Sequence, residues 1–235
     1  MSEKITLSII MPVYNEENTI LESLRKIKFL EPNADLEIIV INDGSTDKTK
    51  TILEKNSNLY NTLINLKNNY GKGKAVIEGL KKSKSKYIVF QDADLEYDPK
   101  DLKKFIIKVE NLNADLVMGS RFIGDERSVL HFWHMLGNRI ITLIFNFLNN
   151  TTFSDIYCCY MLFKKSSLNV DKLKSFKWGQ QAEILTYVVN KSKKIYEIGV
   201  SYNARNYKDG KKIRYYDVFN VIFQILLTRI KVIFS

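Results

Sequence analysis

Three carboxylates occupy alternate positions in Gln91-Asp92-Ala93-Asp94-Leu95-Glu96, directly after the apolar run Tyr87-Ile88-Val89-Phe90. The run reads as a buried strand, so Asp92, Asp94 and Glu96 leave its end together. Hard oxygen ligands at a strand end suit Mg²⁺ or Mn²⁺, an ion that keeps part of its shell for the phosphates of a bound substrate. A solvated acidic loop is the plainer account of an isolated Asp-x-Asp, and the rest of the chain weighs against it. Other metal chemistry is poorly supplied. His131 and His134 lack a third ligand for zinc, and the two cysteines, Cys158 and Cys159, are adjacent, so no disulfide framework is indicated.

The carboxylates need a scaffold, and the hydrophobic pattern supplies one. Residues 5–13 are nearly continuous apolar chain, as in a strand covered by helices on both faces, which implies a parallel sheet. Ile20, Leu21, Leu24 and Ile27 recur at helical spacing, with Asn15 placed to cap them. A second strand over 36–41 breaks at Asn42-Asp43-Gly44-Ser45-Thr46-Asp47, a group of turn and cap residues. A helix over 47–55, a strand over 60–66, a glycine-rich turn at Gly71-Lys72-Gly73-Lys74 and a helix over 75–82 lead back to the carboxylate strand. Beyond it, Asp98 is a cap, Pro99 the first helical position and Asp101 the capping-box site, followed by a strand over 116–119. This alternation predicts an α/β, Rossmann-like, mostly parallel sheet flanked by helices. Its ligand should sit beyond the carboxyl ends of the strands, where Tyr14, Asp43, Gly71 and the acidic run all fall. After residue 129 the pattern predicts a helix over 131–148, strands over 157–163 and 195–201, and a helix over 181–190. No Pro/Gly/Ser linker sets this part off, so residues 1–214 are expected to form one catalytic domain, with halves 1–121 and 122–214.

The 235-residue chain carries 36 Lys+Arg against 26 Asp+Glu, a net charge of +10, which favours an anionic partner. Nucleic acid is not expected: there is neither an aromatic-rich basic sheet motif nor a helix-turn-helix pattern. Gly-x-Gly-x-x-Gly after the first strand and a Walker Gly-Lys-Ser/Thr are both missing, which excludes the dinucleotide and P-loop readings. The adjacent cysteines and an N-terminus without a signal-peptide pattern place the chain in the cytoplasm. Residues 215–235 are expected to form a C-terminal amphipathic helix. Asn220, Gln224, Thr228 and Lys231 fall on one stripe, with Phe219, Val221, Ile222, Phe223, Ile225, Leu226 and Ile230 over the rest. With Lys211, Lys212, Arg214 and Arg229 nearby, such a helix suits an anionic membrane surface; packing on its own domain or on a second copy in a homo-oligomer is the alternative.

Taken together, Met11-Pro12-Val13-Tyr14-Asn15-Glu16, the run from Val40 through Asp43-Gly44-Ser45 to Thr49, Gly71-Lys72-Gly73-Lys74-Ala75 and Gln91-Asp92-Ala93-Asp94-Leu95 resemble the family 2 inverting glycosyltransferases. Gly119-Ser120-Arg121, Phe132-Trp133-His134 with Gly137-Asn138, Ser154-Asp155 and Phe163-Lys164 are similar to its dolichyl-phosphate mannosyltransferase branch, as are Trp178-Gly179, Glu183 and the run from Val200 to Tyr207. The resemblance implies a glycosyltransferase A fold, a nucleotide-sugar donor (GDP- or UDP-linked), a Mg²⁺ or Mn²⁺ ion and a polyprenyl-phosphate acceptor at the inner face of the membrane. Residues 1–121 would be the donor half and 122–214 the acceptor half. Pro12, Tyr14, Glu16 and Asp43 match positions that hold base and ribose, and Ala93 lies with them on the donor side. Lys74 matches one near the donor phosphates, with Lys72 an equal rival. Asp92, Asp94 and Glu96 match the metal ligands, although many relatives have Gln at the last. Arg121 matches the arginine that engages the acceptor phosphate, and Asn138 joins that side. His134 stands where a second such arginine is expected; a protonated imidazole could donate to phosphate, or the ring could be packed in the core. Arg205 matches a late basic residue that closes over the donor diphosphate.

The acceptor decides the mechanism. A phosphate monoester is already ionised near neutral pH and can attack the anomeric carbon without a general base, whereas a sugar hydroxyl needs one. Asp155 and Glu183 would be the bases if the acceptor were a hydroxyl of a glycan. A nucleotide-binding module without turnover is the reading from another functional class.

Overall fold

The computed structural model describes residues 4–124, 132–175, 179–204 and 215–234. Arg205, Lys211, Lys212, Arg214, His131 and Trp178 lie outside the described residues. The first strand, β1 (Ile5–Val13), is flanked by β2 (Ala34–Asn42) and β4 (Tyr87–Phe90) and runs parallel to both. Beyond β2 lies β3 (Thr62–Asn65); on the other side come β6 (Met161–Lys164), β5 (Leu116–Ser120) and β7 (Ile195–Gly199), giving the order β3-β2-β1-β4-β6-β5-β7. β6 runs antiparallel to both its neighbours, and the other pairings between these strands are parallel. The sheet therefore takes strands from both sides of residue 121.

Continuous burial along β1 and β2 explains their unbroken apolar sequences. Ile9, Ile10, Met11, Ile39, Val40 and Ile41 are fully buried, because helices cover both faces of the sheet. The helices α1 (Ile20–Ile27), α2 (Thr49–Lys55), α3 (Lys72–Lys82), α4 (Leu102–Leu112) and α6 (Gln180–Lys191) follow the expected alternation. Register opens the crevice. Val13 pairs with Asn42 and Asn42 with Asn65, so three strands end level, whereas β4 ends at Phe90 opposite Ile10. The chain after Phe90 is thereby released to turn across the carboxyl edge of the sheet.

Local departures from expectation have local causes. Asn15 does not cap α1; its φ is 53° and its Oδ1 accepts from the Thr46 N–H at 2.8 Å, which clips the β1 exit to the β2 exit. The Gly-Lys-Gly-Lys run is not a turn ahead of α3 but its first turn, entered through Gly71 at φ 91°. Asp98 does cap, accepting from the Lys100 N–H at 3.0 Å, but Asp101 makes no capping box. Its carboxylate accepts instead from the Ser201 N–H at 2.6 Å and from Lys104, tying the end of the β7 segment to the helix start.

Two helices form an outer pair. α5 (Phe132–Asn149) buries Ile141, Thr142 and Phe145 and exposes Phe132, Trp133, Leu143 and Phe147. α7 (Tyr215–Ile233) packs on α5 and α6. It turns Val221, Ile225 and Thr228 inward and leaves Phe219, Phe223, Leu226, Ile230 and Ile233 exposed. The polar stripe foreseen for this helix is thus partly its packing side, and its most apolar side faces out. Among the described residues no helix is long and apolar enough to cross a membrane.

Candidate active site

The donor side is built at the level ends of β1 and β2. Asp43 is 3% exposed, and both carboxylate oxygens accept backbone N–H groups, from Tyr70 at 2.9 Å and Gly71 at 2.7 Å. It therefore caps neither α2 nor its own loop; it fixes the entry to α3. Gly44 beside it has φ 67°, and a Cβ there would lie 2.5 Å from the Asn68 carbonyl carbon, so only glycine fits. The Glu16 carboxylate accepts from the Thr19 hydroxyl at 2.6 Å, and its N–H donates to the Thr49 hydroxyl at 2.9 Å. Pro12 is buried in β1, while Tyr14 is exposed at the rim.

Asp92 and Asp94 follow the end of β4, with Ala93 buried between them. Leu95 has φ 62°, a left-handed conformation that costs a leucine about 1–2 kcal/mol and bends the chain so that the Glu96 N–H donates to Asp94 Oδ1 at 3.1 Å. The same bend sends the Glu96 carboxylate to the Tyr202 hydroxyl, 3.0 Å away. Among the described residues, then, no group of three or more His, Cys, Asp or Glu side chains is gathered to hold a metal ion, and the expected triad is not a preformed cage. What sits on Asp92 is the Lys72 ammonium, 2.6 Å from Oδ1 and 2.8 Å from Oδ2. Although the Lys72 side chain is exposed, Asp92, with Asp94 behind it, raises its pKa. Lys74 points elsewhere, pairing with Glu78 at 2.6 Å along its own helix.

On the acceptor side Arg121 leaves the end of β5 and meets Asp155 edge to edge, with Nε–Oδ2 at 2.7 Å and Nη2–Oδ1 at 2.9 Å. Asp155 is fully buried and also accepts from the Arg121 N–H and from Asn138 Nδ2 at 2.8 Å. Burial alone would raise the Asp155 carboxyl; Arg121 outweighs it and holds the group below the usual carboxylate range. One edge of the guanidinium is spent on Asp155, and its central carbon lies 5.3 Å from the centre of the Tyr202 ring. His134 is exposed near the start of α5, so it is not a packed core histidine. Glu183 is buried and accepts the backbone N–H groups of Lys174 and Ser175.

Lys72 is the equal rival to Lys74 that the sequence offers, whereas Tyr202 and Glu197 carry no signal of their own. Tyr202 joins Glu96 to Arg121. Glu197, on β7, receives the Ser154 and Asp155 N–H groups and so sets the loop that carries Asp155, with burial pushing its carboxyl up.

Comparison with known proteins identifies the family and the fold. The family description "Glycosyl transferase family 2" matches residues 8–170. An uncharacterized protein of Methanocaldococcus jannaschii is 31% identical over 87% of this chain and 93% of its own length. A dolichyl-phosphate beta-glucosyltransferase of Trichomonas vaginalis is 26% identical, over 95% of this chain and 72% of its own. In fold, the chain is similar to the glucosyl-3-phosphoglycerate synthase of Mycobacterium tuberculosis, with a TM-score of 0.69 at 17% identity, covering 97% of this chain and 78% of that one. The sheet and its helices form a glycosyltransferase A fold. Because the matched stretch runs from β1 through β6 and takes in Asp43, Asp92, Asp94, Arg121 and Asp155, the chain belongs to glycosyl transferase family 2 and is a glycosyltransferase.

Proposed function

We propose that the enzyme moves a hexose from a nucleoside-diphosphate sugar to a polyprenyl phosphate, with inversion at the anomeric carbon, while residing peripherally on the cytoplasmic face of a membrane. The observation that carries this reading is α5. Its inward Asn138 is bonded to the Asp155 that holds Arg121, while its outward side exposes Trp133, Leu143 and Phe147. Leu143, Ile144, Phe147 and Leu148 share a groove with Leu226 of α7, and Phe223 and Ile230 continue that face. One helix thus links a guanidinium suited to a phosphate with an apolar surface suited to the lipid attached to it. A relative named for dolichyl phosphate is in keeping with such an acceptor.

A divalent cation fits the donor side. Asp92 and Asp94 offer hard oxygens, and the ammonium seated on Asp92 is a stand-in showing a carboxylate open to a cation. With Glu96 turned to Tyr202, the residues suit an ion shared with substrate phosphates rather than one enclosed by protein. The Mycobacterium tuberculosis synthase was crystallised with Mn²⁺ and UDP. When bound, such an ion would neutralise the diphosphate as it leaves. Asp92 and Asp94 would hold it, Pro12, Tyr14, Glu16 and Asp43 would border the nucleoside, and Arg121 would orient the acceptor phosphate. That phosphate needs no base. Asp155 and Glu183, the carboxylates that transfer to a hydroxyl would call on, are both committed to buried hydrogen bonds.

The reading is tested by incubating the protein with Mn²⁺ or Mg²⁺, radiolabelled UDP- and GDP-sugars and polyprenyl phosphate in detergent. Metal-dependent label in the organic phase is expected. Label appearing only on added saccharides would overturn the lipid acceptor, and label independent of metal would overturn the role of Asp92 and Asp94.

A further inference from the structure

Lys72 occupies an unfavourable place for a lysine. It is the first residue of α3, where the unpaired N–H groups and the helix dipole repel a cation, and no acidic residue lies in that first turn. Its backbone is fixed all the same, because buried Asp43 holds the N–H groups of Tyr70 and Gly71 immediately before it. The side chain crosses from α3 to the end of β4 and puts one ammonium against both oxygens of Asp92, at 2.6 and 2.8 Å. Lys74, two residues on, shows that a lysine of this turn can find a partner within the helix. Lys72 does not. Helix formation does not account for this placement; the carboxylate opposite does.

An ammonium and a divalent ion cannot both sit on one carboxylate without strong repulsion, and among the described residues Asp94 is the next carboxylate along the chain. A metal entering alone would have to displace Lys72 and leave that cation unneutralised at a helix N-terminus. A metal entering with a diphosphate meets no such cost, because the phosphate oxygens accept the displaced ammonium and suit the helix end. Resting on the metal-dependent donor reading above, we propose that Lys72 is a resident counter-ion of Asp92 that makes divalent-cation and nucleotide binding mutually dependent. Free metal binds weakly, and the metal–nucleotide complex binds well. By linkage the coupling is reciprocal, so metal tightens nucleotide by the same factor.

The test is a titration of Mn²⁺ followed by the electron paramagnetic resonance signal of the free ion, with the full chain, alone and with saturating UDP or GDP, each nucleotide arm corrected for the Mn²⁺ that the same nucleotide holds without protein. For the unaltered protein, nucleotide should tighten Mn²⁺ at least tenfold. Lys72→Met should bind Mn²⁺ alone at least tenfold more tightly than the unaltered protein, and the gain on adding nucleotide should shrink by the same factor, leaving what direct phosphate coordination supplies. Lys72→Arg, which keeps the charge, should keep the coupling, and Lys81→Met, which removes an exposed lysine of the same helix, should leave it unchanged. Thermal melts of all variants check folding. If Lys72→Met binds Mn²⁺ alone no more tightly, or if the coupling in it is undiminished, the proposal is wrong while the metal reading stands. If no variant nor the unaltered protein binds Mn²⁺ with either nucleotide, the metal-dependent donor reading falls and takes this proposal with it.

Discussion

At Arg121 the local chemistry is decided by what surrounds the charge. The guanidinium is 15% exposed and Asp155 is fully buried, so each ion depends on the other for compensation. Removing the carboxylate alone strands a buried cation, and Asp155→Ala should lower the unfolding free energy by about 3–5 kcal/mol in urea titrations. Glu183 presents the opposite case to a catalytic carboxylate: its oxygens are filled by backbone N–H groups. Glu183→Gln should therefore lower the melting temperature and leave the shape of the pH–rate profile unchanged. A lost acidic limb in that profile would instead mark Glu183 as a general base and favour a hydroxyl acceptor.

Among the elements, the reversed strand β6 most needs fastening, and Asp115 does much of it. It accepts from Lys164 on β6 at 2.6 Å and from the N–H groups of Lys193 and Lys194 ahead of β7 at 2.9 Å. Burial would raise its carboxyl, but these partners win and bring it down to about 2. A carboxyl depressed in the folded state stabilises it above the unfolded value, near 3.9, and the contribution fades as pH falls through the folded one. Asp115→Asn should thus cost about 2.5 kcal/mol at pH 7 and little below pH 2, measured by denaturant titration across that window. The glycine that lets Asp43 reach α3 is equally constrained, and Gly44→Ala should be destabilised by at least ~1–2 kcal/mol through its left-handed φ alone. The strands and the Asp92–Asp94 edge were legible because periodicity and turn residues act over a few positions. The Lys72–Asp92 contact, the Tyr202–Glu96 hydrogen bond and the Glu197 clamp were not, since each joins residues 20 or more apart and depends on register. α7 was legible as an amphipathic helix but not in its orientation. Which side faces the domain is set by the space that α5 and α6 leave for Val221, Ile225 and Thr228.

Over the whole molecule the asymmetry is the informative feature. Large exposed apolar side chains concentrate on α5 and α7, and the chain carries a net charge of +10, a combination that suits an anionic membrane surface better than free solution. Combined Leu143→Ser, Phe147→Ser and Phe223→Ser should weaken co-sedimentation with anionic vesicles at least tenfold at an unchanged melting temperature. Unaltered binding would assign that face to another partner. Whether a phosphate or a hydroxyl receives the sugar is read most directly by comparing transfer to polyprenyl phosphate with transfer to the matching polyprenol and to free saccharides under the same metal and donor. Labelled lipid is expected from the phosphate alone, and is expected to be lost in Arg121→Met. Comparable transfer to the alcohol or to a saccharide, or full activity in Arg121→Met, would contradict the phosphate acceptor.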